Sequence, residues 1–115
     1  MPSTEWKGLE RALGADLLAK LLGVSGSSLH RYATGERPTP DAVAARLHYL
    51  ALVVGNLAGS YNDIGVRRWF GRPRTQLGGQ PPAALLQGAW HTQDEGPTLV
   101  QELAATLVDS ASSAT

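Results

Sequence analysis

Residues 16–40 determine the architecture of this chain and read DLLAKLLGVSGSSLHRYATGERPTP. The apolar spacing predicts a first helix that starts with this segment and ends at about Leu22. Gly23 interrupts that helix, because glycine readily adopts the left-handed conformation that a sharp turn requires. Ser25 offers a side-chain oxygen as the N-cap of a second helix, which we expect to end near Ala33. Two short helices joined by such a turn form a helix-turn-helix.

The two faces of the second helix differ in chemistry. Leu29 and Tyr32 lie three residues apart and should face inward, where the small Ala19 on the first helix allows a close crossing. The outward face carries hydroxyls, which suit phosphate oxygens at a helix N-terminus, and His and Arg side chains, which reach base edges in a major groove. A helical hairpin without a nucleic-acid role is the alternative. The residues predicted to contact DNA are Ser25, Ser27, Ser28, His30 and Arg31.

Composition narrows the class of protein. The 115 residues suffice for one domain, or for one small domain with an appendage, and 43% of them are hydrophobic. Their richness in Leu and Ala favours helix. The absence of cysteine excludes disulfides and thiolate metal sites. We expect a cytoplasmic protein without a signal peptide or membrane span, because the longest apolar run covers only Leu50 to Val54.

Charge is balanced overall but unevenly distributed. The chain has ten basic and ten acidic residues. Residues 64–86 contain four arginines and no acid, whereas residues 87–115 contain four acids and no base. A neutral average can therefore hide a basic face and an acidic tail with different partners. The alternative is that these charges only keep the surface solvated.

The apolar periodicity predicts helices throughout the rest of the chain. On the longest of them, Arg46 and His48 fall outside the apolar stripe. A later helix should begin at Pro82, with Leu85, Leu86, Ala89 and Trp90 on its inner face. The predicted fold is all-α, with a helix-turn-helix bundle over residues 1–59 and a small helical C-terminal region over residues 60–115. Besides those already named, the predicted helices cover Glu5–Leu13, Pro40–Ala58, Ile64–Phe70 and Pro97–Ala111.

A second segment, residues 69–86, carries a resemblance to a known family and reads WFGRPRTQLGGQPPAALL. Its order of Trp, Pro, Leu, Gly, Pro and a Leu pair resembles the C-terminal toxin-binding domain of the Xre/MbcA/ParS antitoxin family. The N-terminal half resembles the family's helix-turn-helix, so the resemblance covers nearly the whole chain. Two residues depart from the pattern. Arg74 stands where the family often has Asn, and Pro81 replaces the Ser that usually caps the following helix.

The resemblance implies an antitoxin of a type II toxin–antitoxin system. Such a protein binds and neutralises a RES-domain toxin, an enzyme that degrades NAD. Its helix-turn-helix usually mediates homodimerisation within a larger complex, and often binds promoter DNA as an autorepressor. Core packing is the alternative role for Trp69 and Phe70. The residues that the resemblance assigns to toxin contact are Trp69, Phe70, Leu77, Gly79, Pro82, Leu99, Leu103 and Leu107.

The acidic C-terminal helix has an electrostatic interpretation within this hypothesis. It suits a pocket built for an anionic dinucleotide, where basic groups are expected. Charge reversal at Glu102 and Asp109 should then weaken binding to the toxin.

Other functions are less well supported by the residues. The chain has no phosphate-binding P-loop, no nucleophile elbow and no zinc-protease motif, and its three His lack metal-site spacing. We therefore expect no enzyme, cofactor or metal. A stand-alone helix-turn-helix regulator is the main rival. A third alternative is an antitoxin that no longer binds DNA. This alternative is consistent with the zero net charge of the chain and with the single Arg on the outward face of the second helix.

Overall fold

The computed structural model describes residues 2–113, with side chains described over residues 5–108. Asp109 therefore lies outside the described side chains. Within residues 2–113 there is no strand, and one isolated antiparallel bridge pairs Arg74 with Gln80. The all-α prediction is confirmed. The helices are α1 (Pro2–Leu13), α2 (Ala15–Leu22), α3 (Gly26–Thr34), α4 (Asp41–Ala58), α5 (Asp63–Gly71) and α6 (Glu95–Ser113), with short 3₁₀ helices at Thr75–Leu77 and Pro82–Leu85.

Helices α1 to α5 lie where the sequence predicts them, with ends that differ by up to three residues. Local caps explain several of these ends. The Ser25 hydroxyl accepts a hydrogen bond from the Ser28 N–H at 3.1 Å at the start of α3. The Asn62 side chain accepts one from the Gly65 N–H at 2.8 Å at the start of α5. Each cap satisfies a backbone donor that the first turn of a helix leaves unpaired.

The helix predicted to start at Pro82 is wrong beyond its first turn. A 3₁₀ helix ends at Leu85, and the chain then runs irregularly through Gly88, whose φ is +69°. Ala89, predicted to face inward, is exposed, whereas Leu86 and Trp90 are buried as predicted. The left-handed conformation of Gly88 is incompatible with a continuous helix. The position of the Trp90 ring is set by contacts with distant residues and not by the helical spacing of apolar residues.

Helix α6 begins at Glu95, two residues before the predicted start at Pro97. Proline is tolerated there because the N–H groups of a first helical turn have no partner within the helix. The Thr98 N–H donates to the Asp94 carbonyl at 3.0 Å, which places the first hydrogen bond of this helix just before Glu95.

The buried apolar side chains form one cluster that extends from Trp6 in α1 to Ala104 in α6. Helix α4 packs against both α1 and α6, and α5 packs against α1. The division into a helix-turn-helix region over residues 1–59 and a toxin-binding region over residues 60–115 stays a prediction. Within residues 2–113, no single helix is long and apolar enough to cross a membrane, and α4 with α5 meets those criteria only as a pair bent by 115°.

Candidate functional site

The turn between α2 and α3 is held by its own backbone. Gly23 has a φ of 74°, and the N–H groups of Gly23 and Val24 donate to the Ala19 carbonyl at 3.0 and 3.1 Å. A Cβ atom at Gly23 would lie 2.9 Å from the Gly88 carbonyl oxygen. Glycine is therefore required both by the backbone conformation and by the close approach of a distant segment.

The outward face of α3 carries the residues predicted to contact DNA. Ser25, Ser27, His30 and Arg31 are exposed, and Ser28 is half-buried. The Ser25 hydroxyl already caps the helix and lies 3.4 Å from the Ser27 hydroxyl. This leaves an imidazole and a guanidinium as the long side chains free to reach a ligand on this face. DNA contact by these residues stays a prediction.

The inward face of α3 fixes the helix on the rest of the molecule. Leu29 is buried, and Tyr32 is half-buried against the core. The Tyr32 ring centroid lies 6.5 Å from that of Trp6 in α1. Helix α3 thus packs against α1 as well as α2, and its outward side chains project away from both helices.

The C-terminal end of α2 is tied to the segment before α6 by two side chains. The Trp90 indole N–H donates to the Leu21 carbonyl at 2.8 Å. The Arg46 guanidinium donates through Nη1 to the Leu22 carbonyl at 3.1 Å and through Nε to the Trp90 carbonyl at 2.8 Å. The last carbonyls of a helix lack partners within it, so these donors replace missing hydrogen bonds.

Sequence reasoning missed this arrangement. Arg46 falls outside the apolar stripe of α4, yet it is only 8% exposed. Its Cζ atom lies 5.7 Å from the centroid of the Trp90 ring. The periodicity of α4 carries no signal for this role, because the acceptors lie 24 and 44 residues away along the chain.

The residues that the resemblance assigns to toxin contact divide into two groups. Trp69, Phe70, Leu77 and Pro82 are buried in the core of this chain, and the rings of Trp69 and Phe70 meet edge to face at 5.2 Å. Gly79 is exposed, Leu99 is 39% exposed, and Leu103 and Leu107 are half-buried. A partner that docks on this structure can therefore contact the second group directly. It cannot contact the first group, which affects docking only by supporting the shape of the surface.

The exposed stripe of α6 combines apolar and acidic side chains. Glu95, Leu99, Glu102 and Thr106 are spaced four, three and four residues apart and are all exposed. Such spacing places them on one side of the helix. We call these four residues the α6 stripe.

The basic segment does not form one uniform face. Arg67 donates to the carbonyls of Ala12 and Arg11, both at 3.0 Å, and so caps the end of α1. The Arg74 guanidinium lies 5.3 Å above the Trp69 ring. Arg68 and Arg72 are exposed. Two of the four arginines thus have structural contacts, and two remain in solvent.

Comparisons of this chain with protein-family models, curated proteins and solved structures gave no match. Over the part of the chain that the structure describes, no three His, Asp or Glu side chains are grouped closely enough to hold a metal ion.

Proposed function

We propose that this chain is the antitoxin of a type II toxin–antitoxin pair. In this proposal it neutralises a RES-domain, NAD-degrading toxin through its C-terminal region and binds its own promoter DNA through α2 and α3. The observation that carries the proposal is the α2–α3 pair. Its outward face exposes His30 in the middle of α3 and Arg31 in the last turn, and the Ser25 cap lies at the N-terminus of the same helix. Backbone N–H groups and cationic side chains together favour contact with a phosphodiester backbone.

Two features favour an antitoxin over other DNA-binding proteins. One is the resemblance of residues 69–86 to the antitoxin family. The other is the α6 stripe, where Leu99 is exposed between Glu95 and Glu102. An apolar side chain flanked by acids suits a partner surface that is apolar at its centre and basic at its rim.

The decisive experiment is co-expression with the neighbouring reading frame. We expect the neighbour to arrest growth when expressed alone, and to co-purify with this chain in a stable complex when the two are expressed together. A harmless neighbour that forms no complex would contradict the antitoxin proposal and leave α2 and α3 as the functional part.

The surface used for the toxin can be tested with paired variants. Leu99→Asp should weaken the complex at least tenfold, because it places a charge in an apolar contact. Ile64→Asp is the matched control, since Ile64 is also exposed but lies on α5 outside the predicted contact set. Equal affinities for the two variants would exclude the α6 stripe as the contact surface.

DNA binding is tested by a second pair. Loss of a positioned arginine from a DNA contact costs about 1–3 kcal/mol, which corresponds to roughly 5- to 150-fold in affinity. We expect Arg31→Ala to weaken binding to the chain's own promoter within that range in a gel-shift titration at fixed salt. Arg68→Ala removes the same charge from an exposed site on α5 and should leave the affinity unchanged.

The alternative is a stand-alone transcriptional regulator. It is favoured by the burial of Trp69, Phe70, Leu77 and Pro82, since these residues complete the chain's own core without any partner. Promoter binding that is weakened in Arg31→Ala, together with a harmless neighbour, would support this function.

A further inference from the structure

Arg46 is a buried cation whose guanidinium forms no ion pair with a described carboxylate. Among the described side chains, the one contact within ion-pair distance joins His48 Nδ1 to Glu5 Oε2 at 2.9 Å, so no described carboxylate is paired with the Arg46 guanidinium. Its Nε and Nη1 atoms donate to carbonyl oxygens, whose partial charges compensate only part of the positive charge. An anion bound beside this guanidinium would therefore be stabilised.

Arg46 lines a pocket, and one of its nitrogens has no hydrogen-bond partner among the described residues. Nη2 donates to no described group, and it is not among the fully buried, unpaired side-chain atoms of the described residues. Arg46 lines a pocket of about 400 Å³ between α4 and residues 90–94. The walls of that pocket include Thr92 and Gln93, two residues whose side chains carry hydrogen-bond donors.

A second pocket continues the first along α4. It measures about 340 Å³ and shares Ala45, Thr92 and Gln93 with its neighbour. Its other walls include Tyr49 and Leu52, and Leu52 is 47% exposed. Because they share wall residues, the two pockets adjoin in one groove, with a cation at one end and a mainly apolar surface at the other. His48 and Gln101 add polar groups at that second end. Ligand sites of this size commonly combine apolar walls with a few polar groups that fix orientation.

We propose that this groove, the Arg46 groove, binds a monocarboxylate attached to an apolar body. The carboxylate pairs with Arg46 Nη2, and the apolar body lies against Ala45 and Leu52. Asp94 lines the same pocket, and its Oδ2 atom accepts a hydrogen bond from the His91 N–H at 2.9 Å. This carboxylate repels any anion in the pocket, and it repels a multiply charged anion such as phosphate more strongly than a monocarboxylate. The proposal is independent of the antitoxin function.

The test uses the full chain, labelled with ¹⁵N, and NMR titration. Hexanoate is the probe, and hexanamide is its uncharged isostere. We expect hexanoate to shift the amide signals of Thr92 and Gln93 saturably, with a Kd on the order of 1–10 mM for so small a ligand. Hexanamide should bind at least tenfold more weakly. Equal binding of the two probes, or no saturable shift, would overturn the proposal.

A filled-groove variant adds a structural control. Ala45 is exposed and lines both pockets, so Ala45→Leu should occupy the groove and weaken hexanoate binding at least tenfold without removing a hydrogen bond. Ala58→Leu makes the same change at the exposed far end of α4 and should not alter binding. Unchanged binding in Ala45→Leu would show that hexanoate binds elsewhere and would contradict the proposal.

One further titration identifies the source of the carboxylate. Acetyl-Leu-Glu-amide presents a side-chain carboxylate beside an apolar group, as a partner protein would. Tighter binding of this peptide than of hexanoate would indicate a protein partner, whereas tighter binding of hexanoate would indicate a free carboxylic acid. If neither probe bound, the Arg46 groove would have no carboxylate ligand and the proposal would fail.

Discussion

Arg46 joins three parts of the chain that are distant in sequence. Its guanidinium donates from α4 to the carbonyls of Leu22 and Trp90. Hydrogen bonds from charged groups contribute about 1.5–3 kcal/mol each, and a buried carbonyl left without a donor is costly. We expect Arg46→Gln to lower the free energy of unfolding in urea by about 2–4 kcal/mol.

The control for this variant is Arg68→Gln, which makes the same chemical change at an exposed site on α5. It should alter the free energy of unfolding by less than about 0.5 kcal/mol. If the two variants were equally stable, the hydrogen bonds of Arg46 would not contribute to folding as the geometry indicates.

The buried Tyr49 hydroxyl should make the protein less stable to unfolding at alkaline pH. This hydroxyl donates to the Pro97 carbonyl at 2.6 Å, and burial raises the pKa of that hydroxyl far above its usual value. Above about pH 10 the unfolded chain loses this proton while the folded chain keeps it, so stability falls by about 1.4 kcal/mol per pH unit from this residue. Below about pH 9 the contribution does not change.

The variant that isolates this effect is Tyr49→Phe. Wild type should be more stable than the variant by about 1 kcal/mol at neutral pH, because one hydrogen bond is lost. That advantage should shrink steadily as the pH is raised from 9 to 11 in urea titrations. Parallel stability curves over this range would show that Tyr49 ionises as readily in the folded chain as in the unfolded one.

The ends of α2 and α3 form a natural comparison. Gly23 and Gly35 both have left-handed φ values, 74° and 81°. A Cβ atom at Gly35 would have no described atom within 4 Å, whereas at Gly23 it would lie 2.9 Å from the Gly88 carbonyl oxygen. Gly35→Ala should cost about 1–2 kcal/mol for backbone strain, and Gly23→Ala a further 1–3 kcal/mol for the clash. If chemical denaturation gave equal losses of unfolding free energy for the two variants, the Gly88 carbonyl would be able to move away from the added Cβ atom without cost.

The same two helices show what local sequence information can predict. Helices α2 and α3 follow from the apolar spacing, the Ser25 cap and the glycines that end them. The helical periodicity by itself distinguishes the outward His30 from the inward Leu29. The irregular backbone of residues 86–90 could not be predicted in this way, because tertiary hydrogen bonds hold Trp90. A sequence also does not show whether a large apolar residue such as Trp69 is buried in the chain's own core or lies on a surface that a partner covers.

The molecule joins its proposed DNA-contact and partner-contact surfaces through one core. Helix α3 rests on α1, α1 and α6 both pack against α4, and buried side chains run from Trp6 to Ala104. In addition, Trp90 and Arg46 tie the end of α2 to the segment that leads into α6. A change in α6 should therefore affect the stability of α2, even though the two helices belong to different predicted regions.

Val100 provides the test of this coupling. It is fully buried on α6, and Val100→Ala should lower the free energy of unfolding by about 1–3 kcal/mol. If folding is cooperative across the molecule, hydrogen-exchange protection should fall by the same factor at the amides of Leu21 and Ala104, about tenfold per 1.4 kcal/mol. Val108→Ala, at an exposed position of α6, should leave both amides unchanged. Loss of protection at Ala104 alone would instead show that α6 unfolds separately, so that a partner could displace it without disturbing α2 and α3.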